Sequence, residues 1–253
     1  MNGKEINRFK YFCAEKVLNL MEEKIIFLHI PKTAGTSLRQ LIEKEYPGNK
    51  CLYLYYPSPY QPEVINHIRK QLPTAKVLYR HVSFDIHQLL GIQGKYIAFL
   101  RDPIKRVISF YNHNAREPTM SYHVNIQKGM SLLDMLTSEI TPETNNHMVR
   151  IITCNGKVGM LDDNNVLEQA IENIKQYFYF IGLVERFDES VTSLGQKLGW
   201  QSTHTIPHLI KDPINNQLQI DGETQLALEK YNRLDLLLYE YVSNRFINSN
   251  VNK

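Results

Sequence analysis

The seven residues Pro31-Lys32-Thr33-Ala34-Gly35-Thr36-Ser37 bring together a cation, a glycine and three hydroxyls. The run before them, "KIIFLHI", is apolar and of strand type. After them, Leu38, Leu41, Ile42 and Tyr46 fall at i, i+3, i+4 and i+8, the stripe of a helix that begins around Thr36. The amino end of that helix therefore lies in the loop. Unpaired backbone N–H groups, the positive end of the helix dipole, a close backbone approach at Gly35 and the Lys32 ammonium converge there. Such a point suits a compact anion of the phosphate or sulfate type. Taken alone, the segment also reads as an ordinary strand-to-helix turn with a solvated lysine and capping hydroxyls. It is not a Walker A loop, which needs G-x-x-x-x-G-K-[ST], because Lys32 here precedes Gly35.

A second stretch, "YIAFLRDPIKRVISFYNH" (96–113), carries a similar concentration of cations. A strand ends at Arg101-Asp102, Pro103 suits the first turn of a helix, and Ile104, Val107, Ile108 and Tyr111 form its buried stripe. Lys105, Arg106 and Ser109 then fall on the opposite side. One strand end and one helix face thus offer two arginines, a lysine and a hydroxyl. For Lys105 and Arg106, a solvated polar face is an equally good reading.

The elements that must hold these stretches alternate along the chain. "KIIFLHI", "AKVLYRHV", "KYIAFLRD" and "YFYFIGLVE" are the strand candidates, and helices are expected over 36–46, 103–114, 130–140, 142–153, 164–178, 187–199 and 223–246. Near-continuous apolar strands imply burial on both faces. The fold class is therefore α/β, a single domain with a mainly parallel central sheet flanked by helices. In such a sheet the ligand sits beyond the carboxyl ends of the strands, so the proline-rich loops "YLYYPSPYQPE" and "QSTHTIPHLIKDPINNQ" are expected to border the site. At the start of the chain, Ile6, Phe9, Cys13, Val17 and Leu20 share one side of a possible helix, an expected extension over 1–23 that packs on its own domain.

Bulk properties exclude several classes. The chain has 253 residues, 43% of them hydrophobic, enough for one sizeable core. Its net charge is +3, and no Lys/Arg run forms the dense basic stripe of a nucleic-acid binder. Cys13, Cys51 and Cys154 are odd in number and widely spaced, which fits a reducing compartment rather than a disulfide or zinc framework. Charges interrupt the first residues, and no apolar stretch approaches the roughly 20 residues of a transmembrane segment. A soluble, cytoplasmic protein is expected.

Together, "PKTAGTS" and "RDPIKRVISFY" resemble the sulfotransferases that use 3′-phosphoadenosine 5′-phosphosulfate (PAPS), most closely the carbohydrate branch containing the uronosyl 2-O-sulfotransferases. Further similarity in "NNHMVRIITCNG", "FYFIGLVERFDESVTSLGQKLGW" and "YNRLDLLLYEYVSNRF" extends the resemblance over 24–246, leaving 247–253 as a tail. The resemblance implies a P-loop-NTPase-like fold and the transfer of a sulfuryl group from PAPS to a carbohydrate or other hydroxyl acceptor, with 3′-phosphoadenosine 5′-phosphate (PAP) as product and no metal. It implies that Lys32, Thr33, Ala34, Gly35, Thr36 and Ser37 hold the 5′-phosphosulfate and that Arg101 and Ser109 hold the 3′-phosphate. It also implies a catalytic histidine in a G-H-x-x-[FY] pattern. "YRHVSFDIH" supplies His81 followed by Phe84, with Arg80 standing where the family has glycine, and His87 is the second choice. His81 and Lys32 are thus the expected catalytic pair, and a neutral imidazole can accept a hydroxyl proton at neutral pH.

Arg150 is a candidate for facing the acceptor, and Tyr53, Tyr55, Tyr56 and Tyr60 for stacking on a sugar ring. The "HTIPH" pair, His204 and His208, is a poor zinc site because Pro207 interrupts the helix it would need. Two other classes compete with the enzyme: an ATP-dependent kinase, and a noncatalytic module that binds PAP or glycan.

Overall fold

Sixteen regular elements follow one another through the residues described by the computed structural model, which are 23–54, 61–80, 84–156, 159–200 and 220–251. They are β1 (Lys24–Leu28), α1 (Gly35–Glu45), β2 (Cys51–Tyr53), α2 (Pro62–Gln71), β3 (Val77–Arg80), α3 (Ile86–Leu90), β4 (Gly94–Leu100) and α4 (Pro103–Arg116). After these come α5 (His123–Gln127), α6 (Leu132–Thr137), α7 (His147–Thr153), α8 (Asn164–Tyr177), β5 (Phe178–Leu183), α9 (Phe187–Leu198), α10 (Gly222–Tyr231) and α11 (Arg233–Val251).

The strands form one parallel sheet in the order β2-β3-β1-β4-β5. β1 and β4 are apolar along their length because both faces are covered. On one face, Ile26, Leu28, Tyr96, Ala98 and Leu100 pack with Ala170 and Ile174 of α8 and with Leu234 and Leu238 of α11. On the other, Phe27, Ile97 and Phe99 pack with Leu38 and Ile42 of α1 and with Phe187 and Leu194 of α9. The alternation of neighbouring residues between faces is the period of two that a strand imposes. A third cluster joins Val107 and Phe110 of α4 to Leu132 and Met135 of α6 and Leu228 of α10.

All four strand candidates appear in the sheet, as does the helix that follows each of the first and third. Two predicted helices are broken, each by an asparagine with long-range hydrogen bonds. The expected 142–153 helix is a 3-10 turn (Pro142–Thr144) followed by α7, separated where Asn146 adopts φ 46°. Asn146 Oδ1 accepts from the Asp235 amide at 2.9 Å, and its Nδ2 donates to the Leu161 carbonyl at 2.6 Å. The expected 223–246 helix divides into α10 and α11 at Asn232, whose Nδ2 donates to the Thr144 and Leu228 carbonyls. The helix expected over 130–140 is shortened to α6 by a capping box between Ser131 and Asp134. β2, α2, α3 and α5 were not expected. α11 runs to Val251, across the expected boundary at 246, while residues 1–22 lie outside the described ones. No helix among the described residues is long and apolar enough to cross a membrane.

One buried carboxylate locks α7 in place. Asp235, on α11, accepts from the amides of Met148 at 3.0 Å and Val149 at 2.8 Å, so it satisfies the amino end of α7 from another part of the chain. Replacing it leaves those amides, and the nearby Arg106 cation, without their counter-charge. Asp235→Ala should lower the unfolding free energy by about 3–5 kcal/mol in a denaturant titration. A loss below about 1 kcal/mol would show that α7 is held by other means.

Candidate active site

β1 lies between β3 and β4, and the chain builds the sheet outward from it in both directions. A crevice beyond the carboxyl ends of the strands opens at such a switch point. The stretches singled out in the sequence follow these three central strands. Residues 31–37 follow β1, Arg101 follows β4, and His81 is the next residue in the chain after β3, whose last residue Arg80 pairs with Leu28 of β1. His81 itself lies outside the described residues.

The 31–37 loop has an unusual backbone. Lys32 and Ala34 take φ of 70° and 63°, in the left-handed region that costs non-glycine residues about 1–2 kcal/mol each. Alternating right- and left-handed residues turn successive amides toward one concave face, which is how a backbone makes an anion cradle. Ala34 is the N-cap of α1, and no side chain caps that end. Two of the three hydroxyls expected to cap it are buried: Thr33 Oγ1 donates to the Ile30 carbonyl at 2.8 Å, closing the loop on itself, and Ser37 is buried on α1, while Thr36 is exposed.

Glycine at 35 has a different reason from the one expected. A Cβ there would lie 1.7 Å from Nε2 of His29, so the close approach is made by a histidine ring of this chain. That ring stacks on Tyr79 of β3, with centroids 5.4 Å apart and planes 29° apart. Tyr79 Oη in turn donates to the Gly35 carbonyl at 2.8 Å.

The second stretch meets the first directly. Arg101 Nη1 donates to the Lys32 carbonyl at 3.2 Å. Behind it, Asp102 caps α4 by accepting from the Lys105 amide at 2.9 Å. The Asp102 amide donates to Glu185 Oε1 at 3.0 Å, and Glu185 Oε2 accepts from Tyr239 Oη at 2.7 Å. The end of β4 is thereby tied to the residues that follow β5 and to α11. Lys32, Arg101 and the uncapped amino end of α1 converge as a donor set suited to an oxyanion.

Of the polar face expected on α4, Lys105 is exposed, whereas Arg106 and Ser109 are buried. Arg106 is 0% exposed and Ser109 only 7%. Arg106 donates to the Glu143 carbonyl, while its Nε and Nη1 are buried without a hydrogen-bond partner. Burial pushes the Arg106 pKa down, and Asp235 and Glu143 oppose the shift. Burial raises the Glu143 carboxyl, and the positive charges of Arg106 and Lys32 pull it back. His147 Nε2 lies 3.8 Å from Glu143 Oε2. A buried charged cluster therefore extends from α11 to the edge of the loop. Glu143 and His147 went unrecognised in the sequence, where 142–153 reads only as one helix.

Three other candidates stand away from the crevice or are otherwise engaged. His87 belongs to an aromatic box, with Nδ1 2.8 Å from Tyr96 Oη and ring contacts to Phe84 and Tyr177. It packs against Gly94 at the amino end of β4, about 20 Å along the strand from Arg101. Burial holds its imidazole below the usual pKa, and it is a structural residue. Arg150 is buried rather than turned to an acceptor. It donates to the Asn145 carbonyl and side chain, both at 2.7 Å, and to the Gly159 carbonyl. Tyr53 sets its ring edge-on to Tyr79, under the Arg39 guanidinium. Tyr55, Tyr56, Tyr60 and the "HTIPH" residues lie outside the described ones.

A parallel α/β sheet whose central strand leads through a left-handed loop into an uncapped helix is an architecture suited to anionic ligands. The chain belongs to the sulfotransferase family, whose model, described as "Sulfotransferase family", matches residues 19–242. It is a PAPS-dependent enzyme of sulfuryl transfer. Among related proteins, heparan-sulfate 6-O-sulfotransferase 2 of Gallus gallus is 24% identical over 284 residues, covering 89% of this chain and 67% of that protein. Two solved structures are similar in fold. Mouse sulfotransferase SULT7A1 complexed with PAP has a TM-score of 0.47 and 12% identity, over 86% of this chain and 68% of that one. A sulfotransferase from Alicyclobacillus acidocaldarius has a TM-score of 0.49 and 13% identity, over 88% of this chain and 96% of that one.

The strained loop generates a stability prediction. At φ 63°, Ala34→Gly removes a Cβ from the left-handed region and should stabilise the fold by about 0.5–1 kcal/mol in denaturant unfolding. A clear loss of stability would mean that the left-handed backbone at position 34 is not the resting conformation.

Proposed function

We propose that this sulfotransferase uses residues 24–246 as its catalytic domain and transfers the sulfuryl group to a carbohydrate hydroxyl by in-line displacement, with His81 as the base. The observation that supports the reading is the 3.2 Å hydrogen bond from Arg101 to the Lys32 carbonyl, which joins the two segments assigned here to the phosphates of the donor. PAPS supplies an activated sulfuryl group on a phosphate leaving group. In this scheme the amides of 33–37 and the Lys32 ammonium bind the 5′-phosphosulfate and neutralise charge that grows on the bridging oxygen. Arg101, with Ser109 one helix face away, grips the 3′-phosphate, which separates this donor from ATP.

Support for His81 is its position in the chain, directly after β3, the strand that pairs with β1. Its imidazole takes the proton of the acceptor hydroxyl as the new oxygen–sulfur bond forms and the bond from sulfur to the bridging oxygen breaks. A sugar acceptor is supported by the Gallus gallus relative, an enzyme named for heparan sulfate. A reducing, cytoplasmic setting is supported by the odd, widely spaced cysteines, of which Cys51 and Cys154 are free thiols.

His81→Ala should lower turnover by roughly 10²- to 10⁴-fold and leave PAP affinity unchanged. Retained turnover removes His81 from the mechanism. Arg101→Ala should weaken PAP binding by about 1.5–3 kcal/mol in calorimetry, the range for a hydrogen bond to a charged group. An unaltered dissociation constant would contradict its assignment to the 3′-phosphate. Wild-type protein that binds PAP but sulfates no member of a glycan panel would favour the noncatalytic module.

A further inference from the structure

Half-buried His29 and buried Tyr79, beneath the 31–37 loop, do more than fill the core. The His29 ring lies so close over Gly35 that any side chain at 35 would overlap it, its nearest ring atom 1.7 Å from an added Cβ. The ring cannot withdraw toward β3 without pressing on Tyr79, on which it stacks at 5.4 Å. Tyr79 is itself wedged by Phe27 and Tyr53, with ring centroids 6.2 and 5.9 Å away. Its hydroxyl reaches past the stack to hold the Gly35 carbonyl at 2.8 Å, joining residues 44 positions apart. Gly35 is the first residue of α1 and the neighbour of left-handed Ala34. Its peptide orientation therefore sets where the amides of the loop point.

We propose that His29 and Tyr79 are positioning residues for the sulfuryl donor, clamping Gly35 so that the loop amides and Lys32 stay in their binding orientation. Gly35 is glycine to admit the His29 ring, not to admit a ligand. Tyr79 lies on β3 and precedes His81 by two positions in the chain, so its hydrogen bond ties the loop to the strand that leads to the base. The proposal rests on the reading of 31–37 as the donor site, and its consequences are separable from that reading. A tyrosine that served only as core packing would need its ring and not its hydroxyl. A glycine that served a ligand would be insensitive to what stands at 29.

The test measures PAP binding by calorimetry and PAPS and acceptor kinetics in four variants beside the wild type, with thermal melts to confirm folding. Tyr79→Phe keeps the ring and should weaken PAP binding about 5- to 10-fold, the cost of one buried carbonyl losing its donor. The same variant should raise KM for PAPS and leave KM for the acceptor in place, whereas a loss of folded protein would lower only the apparent kcat. Gly35→Ala should weaken PAP binding at least about 10-fold by displacing the ring. Combining it with His29→Ala should recover several-fold of that loss, because the new methyl then enters the space the imidazole leaves; His29→Ala alone completes the cycle. Additive effects in the cycle together with wild-type behaviour of Tyr79→Phe would overturn the proposal while leaving the donor site intact. A wild-type protein that binds no PAP would overturn the donor-site reading and the proposal with it.

Discussion

The contact between the Arg101 guanidinium and the Lys32 carbonyl joins segments 69 residues apart, and the site depends on it. A carbonyl held by Arg101 fixes the plane of the peptide between Lys32 and Thr33. On either side of Thr33 the backbone is left-handed, at Lys32 and at Ala34. Such conformations persist only where the surroundings over-determine them. Here the surroundings are specific: Thr33 bonded back to Ile30, Tyr79 bonded to Gly35, and Arg101 bonded to Lys32. Three hydrogen bonds from three directions hold a loop of seven residues whose intrinsic preference is to relax.

Strand register turns this local order into a site. β1 pairs with β3 on one side and β4 on the other, with Leu28 level with Arg80 and Phe27 level with Ile97. The segments that leave these strands therefore emerge side by side. A slip of one residue would exchange the two faces of a strand and set Phe27 into the cluster that its neighbours Ile26 and Leu28 fill. Burial of β1 and β4 on both faces makes the site's alignment a consequence of the hydrophobic core. Glu185 extends the same control outward, accepting from the Asp102 amide and from Tyr239, so the end of β4 is anchored to two further elements.

Much of this was legible in the sequence because it is local. An apolar run, then a turn with Lys and Gly, then a helical stripe is a strand-loop-helix signal complete within twenty residues, and 24–45 folds that way. Periodicity also located the buried stripe of α4. It could not say whether the other side of α4 meets water, since that depends on where the 142–144 turn and α11 fold, and so a solvated face stood as an equal reading for Arg106, which is buried. The breaks at Asn146 and Asn232 failed for the same reason, because the hydrogen bonds that impose them come from Asp235, Leu161 and Thr144, far along the chain. Gly35 was recognised as a point of close approach while the approaching group, His29, was hidden by being counted as part of the preceding strand. His87 was attractive as a sequence neighbour of Phe84, and only the topology shows that α3 carries it to the far end of β4.

The buried charges below the loop are the least economical part of the fold, and their placement explains their retention. Arg106, Glu143 and Asp235 lie in a region where an apolar set of the same volume is often as stable or more so. An apolar set would not serve in their place. Asp235 satisfies two amides at the start of α7, and Arg106 holds the carbonyl of Glu143 in the turn before it. Each link specifies an orientation between elements that hydrophobic contact alone leaves free to slide. Burial raises the Glu143 carboxyl, while the positive charges of Arg106 and Lys32 oppose that shift, so the buried cluster is linked electrostatically to the edge of the 31–37 loop. Charges buried in this way tie the orientation of the elements beneath the loop to that of the loop itself.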